Sequence, residues 1–108
     1  MSQFEAITEE NFETVVLKAP DAYLLEFGAT WCQPCRRLEP ELEKLEGMLA
    51  GSVKFGQVDV DTAPDLAAQF GVMGVPTVIL FQQGQAVARL TGYQPLKKLQ
   101  DLIEKHIG

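Results

Sequence analysis

Residues 22–27, AYLLEF, are apolar at odd and even positions alike, with Glu26 the single exception. A strand with one wet face alternates polar with apolar residues, so a run like this one has to be covered on both sides. The chain therefore needs a sheet sandwiched between helical layers, and residues 22–27 belong at its centre. A lone carboxyl in such a strand, Glu26, is conspicuous.

The remaining segments supply those layers. Thr8 is placed to cap a helix carrying Glu9 and Glu10 in its first turn and Phe12, Val15 and Val16 on one face, ending at Ala19-Pro20-Asp21. From Cys32 onward, Cys35, Leu38, Leu42, Leu45 and Leu49 recur every three or four residues, predicting a helix to about Ala50, bent at Pro40. VKFGQVDV reads as a strand, and DTAPDLAAQF as a helix capped by Asp61 or Thr62 and stopped by Gly71. TVILFQ and QAVARLTG read as strands joined by a tight turn at Gln83-Gly84. A last helix starts at Pro95 and buries Leu96, Leu99, Leu102, Ile103 and Ile107.

The order is β-α-β-α-β-α-β-β-α, an α/β sandwich. The last two strands must be antiparallel, whereas those separated by helices are expected to be parallel, which makes the sheet mixed. A chain of 108 residues suits a single domain, 1–108, with one core.

Fifteen acidic against nine basic residues give a net charge of −6, and Arg36-Arg37 and Lys97-Lys98 are the only basic doublets. That balance disfavours nucleic acid and anionic membranes as partners. The opening MSQFEAITEE lacks a positive stretch followed by an apolar one, and no run approaches the length of a membrane span. A cytoplasmic monomer is expected.

Both cysteines lie in one motif, Cys32-Gln33-Pro34-Cys35. In a reducing compartment a lone pair is more often catalytic or metal-binding than a staple, and so short a loop removes little chain entropy. Zinc needs four ligands, but there is no second cysteine pair and the one histidine, His106, is at the far end of the chain. A thiol–disulfide site remains, needing neither metal nor other cofactor. At a helix start the Cys32 sulfur meets unpaired N–H groups and the positive end of the dipole, favouring a nucleophilic thiolate. Cys35, one turn further on the apolar stripe, is desolvated and stays a thiol until it resolves a mixed disulfide. Pro34 adds no donor toward Cys32, which favours a reductant over an oxidant.

ATWCQPC after an apolar strand, then VDVDTAPDLAAQFGVMGVPTVILFQQGQ, then LTGY, resemble the thioredoxin family over essentially the whole chain. The resemblance implies a three-layer α/β/α fold, with a central mixed five-stranded sheet flanked by four helices. It also implies a protein-disulfide reductase in which Cys32 and Cys35 cycle between dithiol and disulfide, Pro76 follows a cis bond facing the sulfurs, and a flavoprotein reductase recharges the pair. Trp31, Pro34, Met73, Gly74, Val75, Gly92 and Tyr93 match the positions lining the family's docking patch for disulfide-containing proteins, and Gln33, between the cysteines, is a further candidate for substrate contact. A thioredoxin-fold binding module, or a disulfide oxidase or isomerase, are the competing readings.

Four positions depart from the family pattern. Glu26 stands where the family has a buried Asp that takes the Cys35 proton, and Gln57 where it has a partner Lys. A buried carboxyl without that cation is expected to bind its proton tightly and to act as general base or acid. Gly28 replaces a tryptophan and Gln33 a glycine beside the cysteines. Trp31 is expected at the surface, Arg36 and Arg37 as solvated charges, and His106 near the end of the last helix, complementing its dipole.

Overall fold

The computed structural model describes residues 4–49 and 51–107. Five strands, β1 (Glu5–Ala6), β2 (Ala22–Gly28), β3 (Val53–Asp59), β4 (Thr77–Gln82) and β5 (Gln85–Thr91), form one mixed sheet in the order β1-β3-β2-β4-β5. The AYLLEF segment is its central strand, buried on both faces as its composition demands.

Alternation along β2 divides the core in two. Tyr23, Leu25 and Phe27 point to one side, against Phe12, Val16, Leu66, Ala67, Ile79 and Phe81. That layer comes from a five-residue π-helix (Glu13–Leu17) and from helix α2 (Pro64–Gln69). Leu24 points the other way, against helices α1 (Gln33–Leu49) and α3 (Leu96–Ile107), through Leu38, Leu42, Leu45, Leu99 and Ile103. Each fully buried side chain of this size contributes about 1.5–3 kcal/mol of transfer free energy. Glu26 shares the face of Leu24, which is how a carboxyl arrives beneath α1.

Several expectations are corrected. β4 follows a helix but runs antiparallel to β2. β3 leaves the sheet at Asp59, beside Gly28, and β4 enters at Thr77, beside Phe27, so the excursion departs from and returns to the same end. Six residues of α2 climb only about 9 Å, too little to carry the chain back along a seven-residue strand of about 23 Å for a parallel pairing. The first helix is a short, wide π turn rather than an α-helix, and its cap position is Phe12, with no side-chain bond; Thr8 instead holds the turn before it, its Oγ1 accepting the N–H groups of Glu10 and Asn11 at 3.2 and 3.3 Å.

At α2 the cap position is Ala63, with no side-chain bond, rather than Asp61 or Thr62. In α3 only Leu99 and Ile103 are buried; Leu96 and Leu102 are partly covered and Ile107 is exposed, because the packed stripe is one residue wide at each turn. α1 runs through Pro40 to Leu49, and Ala50, the expected end, lies outside the described residues.

The turn between β4 and β5 has positive φ at both Gln83 (51°) and Gly84 (80°), the primed geometry that matches strand twist. Where β3 crosses Tyr23, only glycine fits: a Cβ on Gly56 would lie 2.9 Å from Ile7 Cγ1 and would collide with the Tyr23 hydroxyl.

Candidate functional site

β2 delivers the chain to the C-terminal end of the central strand at Gly28, and a short loop turns it into α1. The Cys32 N–H donates to the Ala29 carbonyl (3.2 Å), and the Cys32 carbonyl accepts from Arg36 N–H (3.3 Å), so Cys32 caps the helix. The Cys35 N–H donates to Cys32 Sγ at 3.1 Å. That sulfur thus occupies the place of an N-cap oxygen, where unpaired N–H groups and the helix dipole favour negative charge.

Cys32 and Cys35 are joined as a disulfide, with Cα atoms 5.3 Å apart. Cys35 is fully buried and Cys32 retains 3% of its surface, so the small opening that exists belongs to Cys32. Both sulfur residues pack on Ala29, Val60 and Val75.

Val75 comes from the segment before β4, where the Val75–Pro76 peptide bond is cis. The segment is pinned on both sides: Thr77 Oγ1 donates to the Gly74 carbonyl (2.7 Å), and the Pro76 carbonyl accepts from Gly92 N–H (2.7 Å). Gly92 has φ +83°, a conformation suited to glycine, at the end of β5.

Around this centre the side chains proposed to dock substrate are open. Trp31 is 65% and Met73 98% exposed, while Gln33, Pro34 and Gly74 are exposed and Tyr93 half-buried. Trp31, Met73, Gly74 and Val75, with Val60 and Val72, line a hollow of about 180 Å³. The Trp31 indole N–H donates to Asp61 Oδ2 at 2.8 Å, which fixes the ring at the surface. Across the site the Arg37 guanidinium lies 4.7 Å from the Tyr93 ring centroid, and Arg36 Nη2 donates to the Thr30 carbonyl (2.7 Å). The arginines are tethered rather than simply solvated.

Glu26 is 1% exposed. Its Oε1 accepts from Gln57 Nε2 at 2.7 Å, and the same amide nitrogen donates to Glu39 Oε2 at 3.0 Å. Glu26 Oε2 is buried with no hydrogen-bond partner among the described residues. Burial pushes the Glu26 carboxyl up to about 7, the Gln57 hydrogen bond works against that rise, and the Glu39 charge adds to it. Glu26 therefore makes its hydrogen bond to the Gln57 amide, on the face of the sheet that α1 covers.

This ionisation has a consequence for stability. A carboxyl that binds its proton more tightly in the folded than in the unfolded chain makes folding less favourable as pH rises from about 4.5 to about 7. Above about 7 the whole penalty is present, and below about 4.5 it vanishes. Glu26→Gln is accordingly expected to stabilise the protein by about 2–3 kcal/mol at pH 8 and by much less at pH 4. Urea melts at the two pH values check it; equal gains at both would refute the assignment.

Sequence reasoning missed Glu39, Asp61 and the Arg37–Tyr93 pair. Glu39 was detectable: it lies four residues after Cys35, one turn along the buried stripe, on the side of α1 that meets the sheet. Asp61 does not cap α2; its carboxylate serves Trp31. Among the described residues no three His, Cys, Asp or Glu side chains are grouped so as to hold a metal ion, and no helix is long and apolar enough to cross a membrane.

The family model described as thioredoxin matches residues 3–105. The thioredoxin of Staphylococcus saprophyticus is 40% identical over 101 residues, covering 94% of this chain and 95% of its own. That of Haemophilus influenzae is 39% identical over 107 residues, covering 99% and 100%. Thioredoxin C-2 of Corynebacterium nephridii is 38% identical over 100 residues, covering 93% of each.

Proposed function

Because this chain belongs to the thioredoxin family, a family of thiol–disulfide oxidoreductases that reduce protein disulfides through a redox-active cysteine pair, we propose that Cys32 is its nucleophile and Cys35 its resolving thiol. The observation that carries this assignment is the Cys35 N–H donating to Cys32 Sγ at the start of α1. One sulfur is set in the field of a helix N-terminus; the other is desolvated beneath it.

The Cys32 thiolate attacks one sulfur of a substrate disulfide and releases the other as a thiolate, which takes a proton from solvent. Cys35 then gives its proton to the Glu26 carboxylate and attacks Cys32 Sγ. The bond between Cys32 and the substrate breaks, the second substrate sulfur leaves as a thiolate, and the Cys32–Cys35 disulfide forms. A family reductase, in our reading a flavoprotein, returns two electrons and two protons to the pair.

Substrate segments lie in extended form against Val75 and Pro76, with Trp31, Gln33, Pro34, Met73, Gly74, Gly92 and Tyr93 in apolar or backbone contact. Main-chain pairing to a short exposed segment reads few side chains, which suits a broad set of protein disulfides. Pro34, exposed and without an N–H, leaves the Cys32 thiolate unassisted from its side and so keeps the pair reducing.

Brief iodoacetamide treatment of the reduced protein near pH 6.5, followed by peptide mass spectrometry, tests the assignment of roles. Cys32 is expected to be alkylated at least about tenfold faster than Cys35, as its thiolate fraction dictates. Equal labelling, or Cys35 reacting first, would reverse the mechanism.

A further inference from the structure

One amide nitrogen joins two carboxylates at the base of α1. Gln57 Nε2 has two hydrogens, and both are committed: one to Glu26 Oε1 at 2.7 Å, the other to Glu39 Oε2 at 3.0 Å. The inner carboxyl is sealed, its Oε2 without a hydrogen-bond partner among the described residues; the outer one is half-buried and lines a groove of about 320 Å³ with Ala29, Thr30 and Arg36.

We propose that Glu39 is a positioning residue for proton transfer, tuning the basicity of Glu26 through the shared Gln57 carboxamide. The proposal rests on the reading that Glu26 takes the Cys35 proton. It adds that the strength of this base is set by a half-buried residue on the sheet-facing side of α1, at the rim of a groove.

The surroundings of Glu26 leave few other candidates. From β3 it faces neutral Gln57, and its β4 partner is Val78. From α1 comes Glu39; Arg36, which lines the groove beside Glu39, is exposed and has its guanidinium held at the Thr30 carbonyl. The β1 residue paired with Gln57 is Ala6. Asp59, two residues along β3, has its Oδ1 engaged by the Asp61 N–H. Cys35, bonded to Cys32, does not titrate in this state.

Two effects then act in the same direction. A negative Glu39 opposes a second negative charge on Glu26, and it competes for the amide that would otherwise stabilise the Glu26 anion more fully. Both make Glu26 a stronger base, able to accept the proton of a desolvated thiol near neutral pH. In the transfer the Cys35 S–H bond breaks, a Glu26 O–H bond forms, and the negative charge moves from carboxylate to sulfur. The proton transfer itself moves no electrons; the redox steps are the two sulfur–sulfur exchanges on either side of it.

The test follows Glu26 itself. Carboxyl carbon NMR titration of the protein, with Glu26 assigned through Glu26→Gln, is compared with Glu39→Gln and, as a second variant, Glu39→Ala. In both variants the acid dissociation constant of Glu26 is expected to rise about three- to tenfold, its midpoint moving to lower pH. The pH inflection of single-turnover disulfide exchange, measured by stopped-flow Trp31 fluorescence, should move with it. An unmoved Glu26 midpoint in both variants overturns the proposal. A midpoint that moves while the rate inflection stays fixed leaves the Glu39–Glu26 coupling standing but overturns the role of Glu26 toward Cys35.

Discussion

Cys35→Ser is expected to stop turnover by at least about 10³-fold while leaving the first step intact, the loss typical when a residue of a covalent mechanism is removed. Cys32 still attacks a protein disulfide, but nothing remains to displace it, so the covalent complex accumulates. Non-reducing electrophoresis and intact mass should show a one-to-one adduct that dithiothreitol dissolves. Cys32→Ser, by contrast, should give neither turnover nor adduct. Turnover close to wild type in Cys35→Ser would remove Cys35 from the mechanism, and absence of the adduct would remove Cys32 from the first step.

The second large effect is on the fold. Phe81 is 1% exposed, and its ring stands edge-on to Phe70 and Phe12, with centroids at 5.3 and 5.7 Å. It ties β4, the central strand's antiparallel neighbour, to the π turn and to the loop after α2. Phe81→Ala is expected to cost about 3–5 kcal/mol, for lost transfer energy, the cavity left behind and the ring contacts. Total stabilities run at about 5–15 kcal/mol, so the variant loses a large share of its margin. Denaturant melts would show it; a loss under about 1 kcal/mol would mean that the layer between β4 and α2 collapses to fill the space.

Much of this architecture was legible in the residues, for identifiable reasons. AYLLEF has no polar face, so a central position followed at once. TVILFQ, bounded by Pro76 and a Gln-Gly turn, matched β4 residue for residue. Glu26 drew notice because one carboxyl in an apolar strand has nowhere wet to go, and it is buried. The direction of β4 was not legible, since it depends on which end of the sheet the preceding excursion returns to, a property of long-range register and not of local pattern. Nor was the π turn, because Phe12, Val15 and Val16 fit either helical period over so few residues. The spacing of Glu39 from Cys35 places it on the inner side of α1, but its role was not legible, because nothing local tells that the strand beneath presents Gln57. The family resemblance supplied what no periodicity contains, the cis bond before Pro76, whereas the bond from Gly92 N–H to the Pro76 carbonyl was not legible at all.

The hairpin at Gln83-Gly84 closes the sheet at the end opposite the sulfurs. β4 starts beside Pro76 and travels six residues, about 20 Å, before reaching it. The molecule thus has a working pole and an idle one, separated by the length of its own strands. A reporter or affinity handle spliced between Gln83 and Gly84 would ride at the idle pole, out of reach of incoming disulfides, and could be used to follow electron traffic without intercepting it.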